Sequence, residues 1–120
     1  DVLVHAIIDA LLGAFNLGDI GTHFSSNENK WKDISSIKML KICSKNFCFS
    51  KQIVNIDSTI ILQTPKVHHK ISAMKSNITN ALNINTNQLS IKATTTDKLG
   101  FIGTGMGIGA FASCLIELKK

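Results

Sequence analysis

The apolar positions of the chain fall into blocks of two different periods. Val2, Leu3, Ala6, Ile7, Ala10, Leu11 and Ala14 repeat at a helical spacing, so Val2 to Phe15 is predicted to be a helix. Asp1 stands at its N-cap position, and Asn16-Leu17-Gly18-Asp19 reads as the turn out of it. Ser25 to Lys30 is polar and is predicted to be a loop. Ile34, Ile37, Met39, Leu40, Ile42 and Cys43 suggest a second helix, with Ser35 and Ser36 near its start. Gln52 to Leu62, rich in Ile, Val and Thr, reads as a strand that ends before Pro65. Ile71, Met74, Ile78 and Leu82 place a third helix over His69 to Asn83. Gln88 to Thr95 is a short strand, Gly100 to Gly109 a glycine-rich turn, and Ile108 to Leu118 a closing buried strand. The order helix, helix, strand, helix, strand, strand predicts an α+β fold with helices packed on one face of a mixed β-sheet. Three strands are few for such a sheet, and a further N-terminal hairpin would enlarge it.

Composition narrows this picture. With 120 residues and 13.0 kDa, residues 1–120 suit one domain. Hydrophobic residues at 44% and charged residues at 18% exclude wholesale disorder. No apolar run approaches the roughly 18 residues of a membrane helix, so no membrane partner is expected. The net charge of +5 permits anionic partners. All the basic residues are Lys, however, and aromatics are 6% of the chain. With no Arg for bidentate contacts and few rings for stacking, nucleic acid is not an expected partner. Cys43, Cys48 and Cys114 are odd in number and lack CxxC spacing, which points to reduced thiols rather than a disulfide framework.

Candidate chemistry lies in four places, and two further segments are set aside. His5 and Asp9 share one helix face. Asp9 can orient the His5 ring as the partner of a metal-bound imidazole, or the two can simply be helix neighbours. One His and one Asp do not complete a three-ligand zinc site. Gly18-Asp19-Ile20-Gly21 puts a carboxylate in a tight turn, suited either to a ribose diol or to an ordinary Asx bond. Gln63-Thr64-Pro65-Lys66 follows a strand and can offer backbone groups to a base and an ammonium to a phosphate. Thr94-Thr95-Thr96-Asp97-Lys98 gathers three hydroxyls, a carboxylate and an ammonium beside Gly100. Hydroxyls and N–H groups there can hold phosphate oxygens, and Asp97 can take Mg²⁺ or Mn²⁺. Gly103-Thr104-Gly105-Met106-Gly107-Ile108-Gly109 is not a dinucleotide fingerprint. Eleven residues follow Gly109, too few for the helix, strand and ribose-binding acid, so these glycines serve positive φ or close packing. His68-His69 is a poor metal pair, since adjacent side chains diverge.

Four of these segments, in this order and separation, resemble the 2-C-methyl-D-erythritol 2,4-cyclodiphosphate synthase family of non-mevalonate isoprenoid biosynthesis. The residues that carry the resemblance are Asp1-Val2-Leu3-Val4-His5-Ala6 with Asp9-Ala10-Leu11-Leu12-Gly13, Leu17-Gly18-Asp19-Ile20-Gly21, Gln63-Thr64-Pro65-Lys66, and Lys92 through Phe101. The resemblance implies a lyase that closes a cyclic diphosphate on a cytidine diphosphate ester of methylerythritol 2-phosphate and expels CMP. It implies His5 as a ligand of Zn²⁺ or another divalent metal. Asp97, standing where the family usually has Glu, is implied to hold Mg²⁺ or Mn²⁺ on the diphosphate. Thr95 is implied to be the transition-state residue, flanked by Thr94 and Thr96. Substrate binding falls to Asp19, Ile20, Gly21 and Phe24, to the cytosine pocket Leu62, Gln63, Thr64, Pro65, Lys66, Val67 and His68, and to Phe101. The family assembles as a homotrimer with sites between subunits, which leads us to expect the apolar last strand, with its small residues, to line the threefold axis.

The sequence also departs from the family. An Asp-x-His pair and a flexible loop that the family brings before the position of Asp1 are absent, so the sequence reads as lacking an N-terminal segment. Thr104 replaces a residue that is often basic, and Ser25-Ser26-Asn27-Glu28 lacks the usual Pro-Asp start. The alternative function is a catalytically incomplete, nucleotide-binding, trimer-forming fragment. The expected location is a plastid-type organelle or the bacterial cytoplasm.

Overall fold

The computed structural model describes residues 1–118. Helix α1 (Val2–Ala14) buries Leu3, Val4, Ile7, Ile8, Leu11 and Leu12. That apolar stripe is wider than one narrow face because α1 packs between the sheet and a second helix. Each fully buried Leu or Ile contributes about 1.5–3 kcal/mol of transfer free energy. Asp1 occupies the N-cap position, yet its side chain makes no capping bond. A further four-residue helix, α2 (Ile20–His23), follows the expected turn, and a 3₁₀ turn at Asn29–Trp31 overlaps the end of the expected loop. Helix α3 (Ser36–Phe47) starts where Ser35 accepts from the Lys38 N–H at 3.2 Å, and it ends on Cys48 in the left-handed conformation.

Strand β1 (Ile53–Ile61) is followed by α4 (Ile71–Leu82), β2 (Leu89–Thr94), the short helix α5 (Gly100–Gly103) and β3 (Gly109–Ile116). The sheet order is β2-β1-β3, with β1 parallel to β2 and antiparallel to β3. The mixed α+β architecture matches the expectation. The glycine-rich segment, expected as a turn, contains α5.

Helix α1 lies over β3 and α4 over β2, while α3 packs on both helices. On β1, Ile56, Ser58 and Ile60 are buried toward this layer. Ser58 tolerates burial because its hydroxyl donates to the Ser90 carbonyl at 2.8 Å. On β3, Ala110, Ala112 and Cys114 pack against the core. Their small size admits α1, and the Cys114 thiol donates to the Ala10 carbonyl at 3.4 Å. These small residues face α1, and alternation along the strand leaves Phe111, Ser113 and Leu115 on the opposite, open face of the sheet. Among the described residues no helix is long and apolar enough to cross a membrane.

Burial pushes the Cys43 thiol up to about 11, whereas Cys48 is exposed. Cys43 therefore favours folding fully below an unfolded thiol pKa of about 8.5, and this contribution is lost as pH rises through the folded value. At pH 8, iodoacetamide should modify Cys48 rapidly and Cys43 only on unfolding. Peptide mass mapping over a time course checks this order, and equal rates would contradict it.

Candidate functional site

The parallel pairing of β1 and β2 brings Ile61 opposite Thr94. The Leu62 N–H extends that ladder by donating to the Thr94 carbonyl at 3.0 Å. Both strands thus release their following loops at one end of the sheet. Between those loops lies a cleft of about 210 Å³, lined by Leu62, Gln63, Pro65, Lys66, Val67, His68, Ala93, Thr94 and Thr95. Two segments singled out from the sequence, Leu62–His68 and Thr94–Thr95, therefore share one cavity. Thr64 is exposed beside it and joins Pro65 through a cis peptide bond. Ala93 was not among the expected residues, because a small apolar side chain carries no chemical signal. A larger groove of about 610 Å³ runs along Lys30–Ile42, but it is a shallow lysine-lined face without convergent catalytic groups.

The polar groups of the cleft loop hold one another. The Lys98 N–H donates to Gln63 Oε1 at 3.0 Å and ties the two loops together. Gln63 is thus a clamp, a role its sequence position did not announce. The Asp97 N–H donates to Thr95 Oγ1 at 3.2 Å, which leaves the Thr95 hydroxyl proton free to donate elsewhere. Thr96 donates its hydroxyl to the Leu99 carbonyl at 2.7 Å, so it stabilises the turn. Thr94 Oγ1 makes a long bond of 3.5 Å to the Thr95 carbonyl. Asp97 and Lys98 both have positive φ, 53° and 69°. The Asp97 carboxylate takes no hydrogen bond among the described residues and is exposed. It suits Mg²⁺ or Mn²⁺, which are commonly held by one carboxylate plus phosphate oxygens and water. Gly103 has a steric reason: a Cβ there would lie 2.2 Å from the Lys98 carbonyl carbon. A Cβ on Gly107 would lie 2.7 Å from the Phe101 ring, which is otherwise exposed.

A second group sits at α1 and α2. The half-buried His5 side chain forms no hydrogen bond among the described residues. The reading in which Asp9 orients the His5 ring is corrected. Asp9 Oδ1 accepts from the Ile20 N–H at 3.0 Å, the first residue of α2. Asp19 Oδ1 accepts from the Thr22 N–H at 3.0 Å and the Thr22 hydroxyl at 2.9 Å. These bonds, the hydroxyl first, hold the Asp19 carboxyl below the usual carboxylate range, with the nearby His23 adding to the effect. Phe24, expected at the substrate, buries its side chain in the core edge-on to Trp31 at 4.9 Å. It can offer a ligand its backbone alone. Among the described residues no three His, Cys, Asp or Glu converge on a metal position. His5 alone does not fit a zinc centre of three protein ligands.

No residue of α1 or α2 lines the cleft, which is built from the segments at the ends of β1 and β2, whereas α1 packs mainly on β3.

A profile described as "YgbB family" matches residues 1–117. The chain belongs to the YgbB family. Members named 2-C-methyl-D-erythritol 2,4-cyclodiphosphate synthase include a protein of Clostridium novyi, 52% identical over 99% of this chain and 76% of its own length. Another, from Desulforamulus reducens, is 48% identical over 98% of this chain and 75% of its own. The bifunctional IspDF of Campylobacter jejuni superposes with a TM-score of 0.87 at 37% identity, covering 95% of this chain and 31% of that one. The CDP complex of IspF from Plasmodium falciparum superposes with a TM-score of 0.84 at 34% identity, covering 100% of this chain and 72% of that one. The expected family is thus established, and with it an enzyme family of isoprenoid biosynthesis.

The geometry makes two checks possible. Gly103→Ala should lower stability by about 1–3 kcal/mol, because backbone must move to admit the methyl group. A thermal melt unchanged from the parent would contradict the packing. Thr22→Val removes the largest cause of the Asp19 shift, so its titration should move up toward the usual range, measured by carboxyl-carbon NMR. The stability Asp19 lends to α2 is present above an unfolded pKa of about 3.9 and is lost as pH falls through the folded value.

Proposed function

We propose that this YgbB-family chain converts 4-diphosphocytidyl-2-C-methyl-D-erythritol 2-phosphate to 2-C-methyl-D-erythritol 2,4-cyclodiphosphate and CMP. An oxygen of the 2-phosphate attacks the β-phosphorus. The bond from that phosphorus to the α–β bridging oxygen breaks, and CMP leaves with the electron pair. Alignment and charge neutralisation carry such a transfer. The observation that supports this reading is the clamped cleft, in which Thr95 has a spare hydroxyl proton beside a base-sized cavity.

In this reading the cytosine ring lies in the cleft, read by backbone groups of Leu62–His68, with the Lys66 ammonium toward phosphate. Thr95 donates to a phosphoryl oxygen as negative charge grows there. Asp19 accepts from the ribose hydroxyls, with Ile20, Gly21 and the Phe24 backbone beside it. Thr94 and Thr96 shape the phosphate turn, and Phe101 closes over the substrate. A Mg²⁺ or Mn²⁺ ion at Asp97, when bound, neutralises diphosphate charge. His5 would supply one donor to a Zn²⁺ or similar centre that needs donors beyond those described, and no step is drawn through it.

A homotrimer with sites between subunits is part of the proposal. It is supported by a cleft to which α1 and α2 contribute no lining residue, and by the open sheet face on which Phe111 is 71% and Leu115 59% exposed. The two curated relatives described above are bacterial, which favours a bacterial cytoplasm over a plastid-type organelle.

Incubation with this substrate and a divalent cation should release CMP and give the cyclic diphosphate by ³¹P NMR. Thr95→Ala should lower kcat by about 10²–10³-fold while CDP affinity changes little. Equal losses would make Thr95 a binding residue. CDP binding with no CMP release would favour the second reading, a nucleotide-binding trimer without catalysis. Light scattering should report about three times 13.0 kDa; a stable monomer would count against a shared site.

A further inference from the structure

Helix α2 is short, and none of its residues is fully buried. A four-residue helix does not hold its own direction; Ile20 packs half-buried against the core and Phe24, just beyond α2, is buried in it, which anchors one side. Polar ties complete the placement. Asp19 takes the N–H of Thr22. His23 Nε2 bonds the Leu17 carbonyl at 2.6 Å and closes the segment on itself. The remaining tie is the one that crosses to another element: the Ile20 N–H donates to Asp9 Oδ1 on α1.

The position of that bond matters more than its strength. The Ile20 nitrogen belongs to the peptide group that follows Asp19. Asp19 has φ −133° and ψ 179°. Its ψ is the torsion that sets the plane of that peptide. A carboxylate on the rigid, core-packed α1 that grips this N–H therefore fixes the backbone on which the Asp19 side chain is mounted. Asp19 Oδ1 is already engaged by Thr22, and Oδ2 takes no bond among the described residues.

We propose that Asp9 is a positioning residue for nucleotide specificity: by holding the Ile20 N–H it orients Asp19 so that the free carboxylate oxygen meets a ribose diol. The proposal rests on the ribose reading of Asp19. It predicts that Asp9 acts on discrimination between ribo- and 2′-deoxyribonucleotides, and not on affinity in general. Asp9→Asn keeps an acceptor oxygen at the same place, whereas Asp9→Ala removes it.

Calorimetric titration of the assembled protein with CDP and 2′-deoxy-CDP tests this. The parent should prefer CDP, and Asp19→Ala should abolish the preference. Asp9→Ala should reduce the preference by about fivefold, with 2′-deoxy-CDP affinity within about twofold of the parent. Asp9→Asn should restore most of it. Exchange of the Ile20 amide should quicken in Asp9→Ala and not in Asp9→Asn. Loss of preference in Asp19→Ala but not in Asp9→Ala would overturn the role of Asp9 alone. An equal loss for both nucleotides in Asp9→Ala would overturn it too, as a general structural effect. A preference that survives Asp19→Ala would overturn the ribose reading itself and the proposal with it.

Discussion

The pairing of β1 on both of its edges is the constraint from which the candidate site follows. Ile61 is opposite Thr94 on one side and Gly109 on the other. That single register places the end of β1, the end of β2 and the beginning of β3 together. The loops 62–70, 95–99 and 104–108 must then converge at one end of the sheet. A slip of one residue would turn Ile56, Ser58 and Ile60 out of the core and expose them, so burial defends the register. The cleft is thus a by-product of core packing some distance from it. The same rule explains why ligands gather beyond the carboxyl ends of parallel strands.

What burial cannot do is order the loops themselves, which are exposed and have few apolar anchors. Polar ties do that work. Gln63 to Lys98 joins the walls of the cleft, Thr95 and Thr96 brace its turn, and Asp9 and Asp19 hold α2. Each tie spends one side-chain atom on structure and leaves another for a ligand: the hydroxyl proton of Thr95, the second oxygen of Asp19. Steric fit completes the arrangement, since the backbone of Lys98 lies where only a glycine at position 103 allows it. The same residues therefore have structural and chemical duties, which is how a small domain can present several functional groups. Helices cover the sheet on one face, and the other presents Phe111 and Leu115 to solvent. An apolar strand face of that kind is ordinarily paired with protein.

The long elements were legible because their residues repeat. The periods of α1, α3 and α4 and the Ile/Val/Thr run of β1 located them to within a few residues, and Ser35 marked the start of α3. Helices α2 and α5 were not legible, since four residues are too few to display a period. The side chains of the site were legible as types, through their resemblance to a family, and less so in their duties. Asp9 shares a helix face with His5, and helical spacing suggested that they pair. The structure gives that carboxylate to a backbone N–H eleven residues away. Phe24 was expected at the ligand and is in the core, because an aromatic ring in a surface-looking segment does not state which way it turns. Which face of β3 is open was not legible either, as an alternating strand of Ala, Phe, Ala, Ser and Cys can bury either set until a helix is placed on one of them.

The sequence by itself determined the fold class, the family, and the segments that carry chemistry, because periodicity and motif spacing are properties of neighbouring residues along the chain. The tertiary structure alone decided which of those segments share a cavity, which carboxylate oxygen is engaged and which is free, and which face of β3 is open. Those outcomes depend on contacts between residues far apart in sequence, such as Gln63 with Lys98 and Ile61 with both Thr94 and Gly109, and they exist only once the sheet has chosen its register.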